Sequence, residues 1–360
     1  MKSIDSADAR SGFEVGTNLG GWLSQYETYD HRHFDSFIAE HNIDQIASWG
    51  MDHVRLPVDY PLFEDDEKPF CYKESGFDYV NRCLDWCERH GLNLILDLHR
   101  APGFTFSSPE TCSLFSQPVL QERFLALWRE LAKRLSTRSK PRIMYELLNE
   151  IVLPSPEPWN QLAAQTIRSI REVDRQHWIM VGGNDWNATW ALKDMPVFDD
   201  ARTAYTFHFY EPLPFTHQKA SWCRELAVFD RDLDYPGEIP GLGEFLKENE
   251  WARKRLDRYE GTCMDQKFLA RDLEPALEFM RTRNLPLYCG EFGVIDTADR
   301  NSRRRWYQDF IALLARHHIG RACWSYKGMN FGLVDGRDRV VDEELVKIVS
   351  AAGGKAEVKG

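Results

Sequence analysis

The chain lacks the features that mark membrane, nucleic-acid-binding and exported proteins. No run approaches the roughly 18 apolar residues that a membrane helix needs. The formal net charge is −11 and no basic stripe is present, so neither a membrane nor a nucleic acid is an expected partner. Residues 1–13 contain no apolar signal-peptide region. We therefore expect a cytoplasmic protein, or a secreted one if a leader preceded these residues.

Two cysteine and glycine motifs are also missing. None of the eight cysteines forms a CxxC pair, and a chain of 360 residues does not depend on disulfides for stability. Reduced thiols fit a cytoplasmic location. No G-x-G-x-x-G follows the first apolar run, which argues against a doubly wound dinucleotide-binding sheet. No cofactor is expected.

The sequence does contain a regular alternation of short apolar runs and longer amphipathic stretches. Helices are predicted over 77–91, 121–135 and 303–320, the latter two from apolar residues at i, i+3, i+4 and i+7. Gly91 and Gly320 are predicted to end two of them, because glycine is favoured just past a helix end. Strands are predicted over 13–20, 52–58, 92–99, 142–149, 177–183, 203–210, 285–292 and 321–326.

Eight strand–helix units predict a (β/α)₈ TIM barrel, since eight parallel strands close this fold. The whole chain, 1–360, is predicted to form one such domain. About 75 residues separate the sixth and seventh strands, too many for one helix. We therefore predict an inserted loop subdomain over 211–284, at one end of the barrel.

Most of the predicted strands end in a residue with a polar side chain. In a parallel barrel all carboxyl ends of strands meet at one rim, where the active sites of such barrels lie. So many polar strand ends at one rim are hard to explain as packing alone. The residues are Arg55, His99, Asn149, Glu150, His208, Tyr210, Glu291 and Trp324.

Two of these, Glu150 and Glu291, follow strands four and seven and therefore face each other across the barrel. Glycoside hydrolysis needs such a pair of carboxylates. The alternative is a metal site, because His99 and His208 with the two glutamates offer ligands for Zn²⁺ or Mn²⁺. No HxH lies on an early strand and no strand-end aspartate completes a binuclear set. Sugar chemistry without a metal is the favoured interpretation.

At these positions the sequence resembles glycoside hydrolase family 5, the cellulase-like family of retaining β-glycosidases of clan A. The matching segments, in the family's order, are HVRLPVDY (53–60), LDLH (96–99), YELLNE (145–150), HFY (208–210), GEFG (290–293) and CWSYKG (323–328). One departure is Ile151, where the family commonly has proline. The resemblance implies a hydrolase of O-glycosyl bonds that works by double displacement, with a β-linked oligo- or polysaccharide as its partner.

The resemblance also implies roles for the rim residues. Glu150 would be the acid/base and Glu291 the nucleophile, with Asn149 on the sugar 2-hydroxyl, His99 on other hydroxyls and Trp324 as a stacking floor. Donors that keep a nucleophile ionised are expected from Arg55 and Tyr210 for Glu291. His208 is expected to orient Glu150. Further aromatic residues follow strand ends, and packing is their expected role: Trp22, Trp186, Phe215, Trp222 and Tyr326.

The substrate implied is a β-linked glucan, cut in the manner of an endo-β-glucanase. The alternatives are an exo-acting β-glucosidase, a β-mannanase of the same family, or a carbohydrate-binding barrel without catalysis.

The segment IMYELLNEI (143–151) carries two glutamates inside a core-like run. If the strand continues, residues 146, 148 and 150 share one face. Glu146 then points into the barrel below the rim, where its charge needs a partner, and Arg55 is the expected one.

Overall fold

Eight parallel strands close into a barrel in which neighbours in sequence pair and the eighth strand pairs with the first. The structure, a computed structural model, describes residues 6–352. The predicted (β/α)₈ fold is confirmed. The barrel strands are β1 (Val15–Asn18), β2 (His53–Asp59), β3 (Asn93–Arg100), β4 (Ile143–Glu146), β5 (Trp178–Gly182), β6 (Thr203–Phe209), β7 (Leu287–Phe292) and β8 (Gly320–Cys323).

Long helices surround the barrel after seven of the eight strands. After β5 the chain forms the short helix Asn184–Asn187 and the 3₁₀ turn Thr189–Asp194 instead. A small hairpin, Glu64–Asp65 with Lys68–Tyr72, follows β2. Across residues 6–352, no helix has the length and hydropathy to cross a bilayer. The outer helices are α1 (Glu40–Ser48), α2 (Glu74–His90), α3 (Pro118–Leu135), α4 (Glu157–Arg171), α5 (Gln266–Arg283), α6 (Arg300–Arg316) and α7 (Glu343–Ser350).

The two predicted glycine helix ends have different outcomes. Gly91 ends α2 with a φ of 72°, as predicted. The prediction for Gly320 is wrong, because α6 already ends at Arg316 and His318 takes the left-handed conformation. Gly320 is the first residue of β8. Glycine is needed there for a different reason: a β-carbon would overlap the backbone carbonyl of Phe13.

The barrel interior is layered. Its lower end holds a small apolar cluster that includes Phe13, Met144 and Trp178. Above it lie buried charged side chains, among them Arg55 and Glu146, both fully buried. The larger core fills the space between the strands and the surrounding helices. The apolar layer thus seals the bottom of the barrel, and the polar residues are left for the rim.

The long segment between β6 and β7 has two parts. Residues 266–283 form α5, which packs on the 3₁₀ turn after β5 as part of the outer ring. The inserted segment proper is therefore 211–265, shorter than the predicted 211–284. It contains short helices over Leu213–Thr216, Arg224–Phe229, Leu242–Glu248 and Arg253–Leu256.

We expect Gly320→Ala to lower the free energy of unfolding by about 1–3 kcal/mol, because its methyl group would force the Phe13 carbonyl away from β8. Denaturant unfolding measures this. Gly336→Ala is the matched control, since a β-carbon there has no heavy atom within 4 Å. Equal stability of the two variants would contradict the steric account.

Candidate active site

The eight predicted rim residues come together at the carboxyl end of the barrel. They form one connected network of hydrogen bonds, ion pairs and ring contacts. Arg55 lies within β2 and His99, His208 and Glu291 lie near the ends of their strands, whereas Asn149, Glu150, Tyr210 and Trp324 follow strand ends. The structure thus brings all eight predicted residues together and adds how they contact one another.

Arg55 lies at the centre of this network. Its guanidinium donates five hydrogen bonds, which uses all five of its N–H groups. Nε and Nη2 bind the two carboxylate oxygens of Glu146 at 2.6 and 3.0 Å. Nη1 donates to Asn18 at 2.8 Å and to Glu291 at 2.7 Å, and Nη2 donates to Asn149 at 2.9 Å. The expected Arg55–Glu146 pair is confirmed.

Glu291 receives a donor on each carboxylate oxygen. Arg55 donates to Oε1 at 2.7 Å and the Tyr210 hydroxyl donates to Oε2 at 2.8 Å. Gly290 makes this orientation possible. The pairing with β6 skips Gly290, and this bulge turns Glu291 inward instead of leaving it on the outer face. A β-carbon at Gly290 would meet side chains of β6 at 2.9 and 3.0 Å.

Glu150 reaches the rim by a route that strand alternation does not predict. Strand β4 ends at Glu146, and Leu148 belongs to the outer core rather than the inner face. The expectation that 146, 148 and 150 share a face is wrong, because the strand is shorter than predicted. Glu150 has a φ of +44°, which redirects its side chain to the cleft. There Nδ1 of His208 lies 2.9 Å from Oε1 of Glu150.

The two glutamates differ in their electrostatic surroundings. Burial raises the pKa of Glu150 to about 7, against the opposing charges of His99 and Arg55. Burial lowers the pKa of His208 to about 4, so Glu150 is paired with a neutral imidazole. Burial also raises the pKa of Glu291, and the nearby His208 and Arg55 side chains act in the opposite direction. A permanent cation bonded directly to Glu291 favours its ionised form.

The remaining predicted residues line the floor of the cleft. The rings of His99 and Trp324 are stacked 5.7 Å apart at 3°, and His99 is held by Asp97 at 2.7 Å. Trp324 is buried beside Gly20, where a β-carbon would overlap the indole. Nδ2 of Asn149 is buried and has no hydrogen-bond partner in the protein. It is therefore a donor available to a ligand that enters the site.

Three polar side chains were missed at the sequence level. Asn18 accepts a hydrogen bond from Arg55, and Asp97 is hydrogen-bonded to the ring of His99. Asn187 Nδ2 lies 3.4 Å from Nε2 of His208, the ring nitrogen that does not face Glu150. Two-residue alternation from His99 predicts the inward orientation of Asp97, and Asn18 is another polar strand end. Asn187 lies in an irregular turn, where no pattern identifies it.

A metal site was the alternative, and part of its ligand set is close together. Ligand atoms of Glu150, His208 and Glu291 lie within 4.8 Å of one another. Their existing contacts suit hydrogen bonding better than coordination. The Arg55 cation is bonded to Glu291 and repels a second cation. Nδ1 of His208 is already in hydrogen-bond contact with Oε1 of Glu150 at 2.9 Å.

Comparison with known proteins gives a consistent result. The family profile described as "Cellulase (glycosyl hydrolase family 5)" matches residues 11–330. Endoglucanase C of Acetivibrio thermocellus is 44% identical over 338 residues, 94% of this chain and 98% of that protein. Cellodextrinase A of Ruminococcus flavefaciens is 32% identical over 87% of this chain and 85% of that protein.

The fold comparison agrees. The crystal structure of endoglucanase Cel5A from Thermotoga maritima superposes with a TM-score of 0.77 and 24% sequence identity. It covers 96% of this chain and 100% of that one.

We expect Glu146→Ala to destabilise the protein by about 3–5 kcal/mol, because it leaves the buried Arg55 cation without its bidentate partner. Thermal and denaturant unfolding measure the change. Glu278→Ala is the control, since Glu278 is exposed on α5. A loss below about 1 kcal/mol, the range of surface pairs, would contradict a central role for this pair.

Proposed function

Since this chain belongs to glycosyl hydrolase family 5, we propose that it is a retaining endo-β-glucanase that cleaves β-linked glucan by double displacement. The relative from Acetivibrio thermocellus is named endoglucanase C, and 98% of its length is matched. The alternative of a carbohydrate-binding barrel without catalysis is set aside, because the family is one of hydrolases and both carboxylates are in place.

The observation that carries the mechanism is the distance between the carboxylates. An oxygen of Glu150 and an oxygen of Glu291 lie within 4.8 Å of each other. Retaining enzymes place their carboxyl groups about 5–5.5 Å apart, whereas inverting enzymes need about 6.5–9.5 Å to admit a water molecule. The spacing here favours direct attack by one carboxylate on the sugar.

Glu291 is proposed as the nucleophile, because Arg55 and Tyr210 hold its oxygens and its charge. Glu150 is proposed as the acid that protonates the leaving oxygen and then as the base that activates water. Its raised pKa keeps a proton available near neutral pH. The unpaired Nδ2 of Asn149 is suited to the 2-hydroxyl, a contact that strengthens in the transition state. His99 and Trp324 are proposed to hold the same sugar.

A second candidate is action on short glucan-derived oligosaccharides. The relative from Ruminococcus flavefaciens is named a cellodextrinase, which favours this substrate. A product profile on a panel of β-glucans, mannan and oligosaccharides separates the candidates. Endo action lowers the viscosity of a soluble glucan before reducing sugar accumulates, and exo action does not.

We also propose a cytoplasmic location for the protein, tested by fractionation of the source cells.

We expect Glu291→Ala to abolish hydrolysis of glucan and of aryl β-glycosides alike, because no covalent intermediate forms. Glu150→Ala is expected to lower the rate on glucan by about 10²–10⁴-fold, the usual contribution of a general acid. It should spare the first step on an aryl glycoside whose leaving group needs no proton. Pre-steady-state release of the aryl group measures that step.

The stereochemical course is the companion measurement. NMR of the wild-type reaction should show the β-anomer as the first product. Release of the α-anomer, or near wild-type turnover by Glu291→Ala, would contradict double displacement. Circular dichroism of each variant controls for folding.

We expect kcat/KM on glucan to fall as the pH rises through about 7, because Glu150 must be protonated to act as the acid. The direction of this change follows from the raised pKa of Glu150, because the protonated carboxyl group is present below the pKa and lost above it. The groups that face Glu150 are Arg55, Asp97, Glu146, His99, His208, Tyr210, Arg255 and Glu291.

The pH profile of kcat/KM measures this dependence. Glu150→Gln should lose the alkaline limb together with most of the activity. An alkaline limb of the wild-type enzyme more than about one pH unit from 7 would contradict the assignment of that limb to Glu150.

A further inference from the structure

The inserted segment brings a cation to the acid side of the cleft. Arg255 lies on the short helix Arg253–Leu256, and its guanidinium lies over the indole of Trp186, 5.2 Å from the ring centroid. Trp186 belongs to the turn after β5, a different part of the chain. The two side chains therefore join the inserted segment to the barrel rim.

The turn that carries Trp186 is fixed to the loop that follows Glu150. The backbone N–H of Trp186 donates to the carbonyl of Ile151 at 3.1 Å. The side chain of Asn184 bonds the backbone of Leu153 in both directions, at 2.8 and 2.7 Å. Trp186 is half-buried. The turn that carries Trp186 is thereby held beside the loop that follows Glu150.

Arg255 is loosely paired, unlike its neighbours on the inserted segment. Its carboxylate partner, Glu225, is 4.0 Å away, and 43% of the arginine side chain is exposed. Arg253 bonds Asp257 at 2.6 Å. A guanidinium held by a ring face and a long ion pair keeps N–H donors free for another partner.

We propose that Arg255, positioned by Trp186, binds the sugar on the leaving-group side of the scissile bond. The inference rests on the proposed function, because the acid must stand beside the leaving oxygen and the leaving sugar must then lie beyond Glu150. The ligand class is a hexopyranose unit of a β-glucan, whose vicinal hydroxyls match the planar donors of a guanidinium. The inserted segment thus supplies a specificity-determining residue to the barrel site.

The charge distribution agrees with this placement. Arg255 is among the cations that oppose the raised pKa of Glu150, so its charge acts on the acid itself. It also contributes to the lowered pKa of His217, whose ring contacts Tyr210. The guanidinium therefore lies within electrostatic reach of Glu150 and of His217.

The test compares two substrates in Arg255→Met, which keeps the length of the side chain but removes its donors. One substrate is a glucan tetrasaccharide, whose leaving group is a sugar. The other is an aryl cellobioside, whose leaving group is not. We expect kcat/KM to fall about tenfold or more on the tetrasaccharide, as for loss of a hydrogen bond from a charged donor, and less than about twofold on the aryl substrate. The position of cleavage in the tetrasaccharide should also shift.

Arg253→Met is the matched control on the same short helix and should leave both rates within about twofold of wild type. Arg255→Lys, which keeps the cation, guards against a folding defect and should retain more tetrasaccharide activity than Arg255→Met. Equal losses on both substrates, or no loss on either, would overturn the proposal. Failure of the underlying function would look different, because Glu150 and Glu291 variants would then remain active on both substrates.

Discussion

The guanidinium of Arg55 is the group on which the site depends. It is fully buried, so each of its N–H groups must find an acceptor inside the barrel. The acceptors come from β1, from β4 and the loop after it, and from β7. A single side chain thereby fixes the spacing between strands on opposite sides of the barrel. The carboxylate oxygens of Glu146 bind Nε and Nη2 on one edge of the planar guanidinium. Nη1, at the other side of the group, is left for Glu291.

This arrangement also distinguishes two chemically identical residues. Glu291 is bonded to a permanent cation and a phenol, whereas Glu150 is bonded to an imidazole that burial keeps neutral. Both side chains are largely buried, 13% exposed for Glu150 and 6% for Glu291, so the main difference between them lies in their partners. The acid and nucleophile roles proposed for the two glutamates follow from which carboxyl group the arginine can reach. The carboxyl group that Arg55 reaches is determined by β2, because the arginine projects from the face of this strand that points into the barrel.

Much of this was predictable from sequence, and the failures have physical causes. All eight strands and the convergence of their polar ends follow from apolar runs and from parallel topology, and so does the Arg55–Glu146 pair. The positions of Glu150 and Glu291 depend instead on departures from regular strand geometry. One is a left-handed residue and the other a bulge at Gly290. Two-residue alternation describes regular strands only, so it placed Leu148 on the wrong face. The role of Gly320 was missed because a carbonyl distant in sequence decides it.

The sequence separations within the arginine network set an order of events during synthesis. Asn18 precedes Arg55 by 37 residues, Glu146 follows it by 91 and Glu291 by 236. A nascent chain thus carries this cation long before its last acceptor leaves the ribosome, and β8, which closes the sheet against β1, comes later still. Contacts so far apart in sequence form slowly, because a large loop must close before they contribute. The chemically competent site is therefore among the last parts of the molecule to be assembled, and an incomplete chain is held inactive by its own topology.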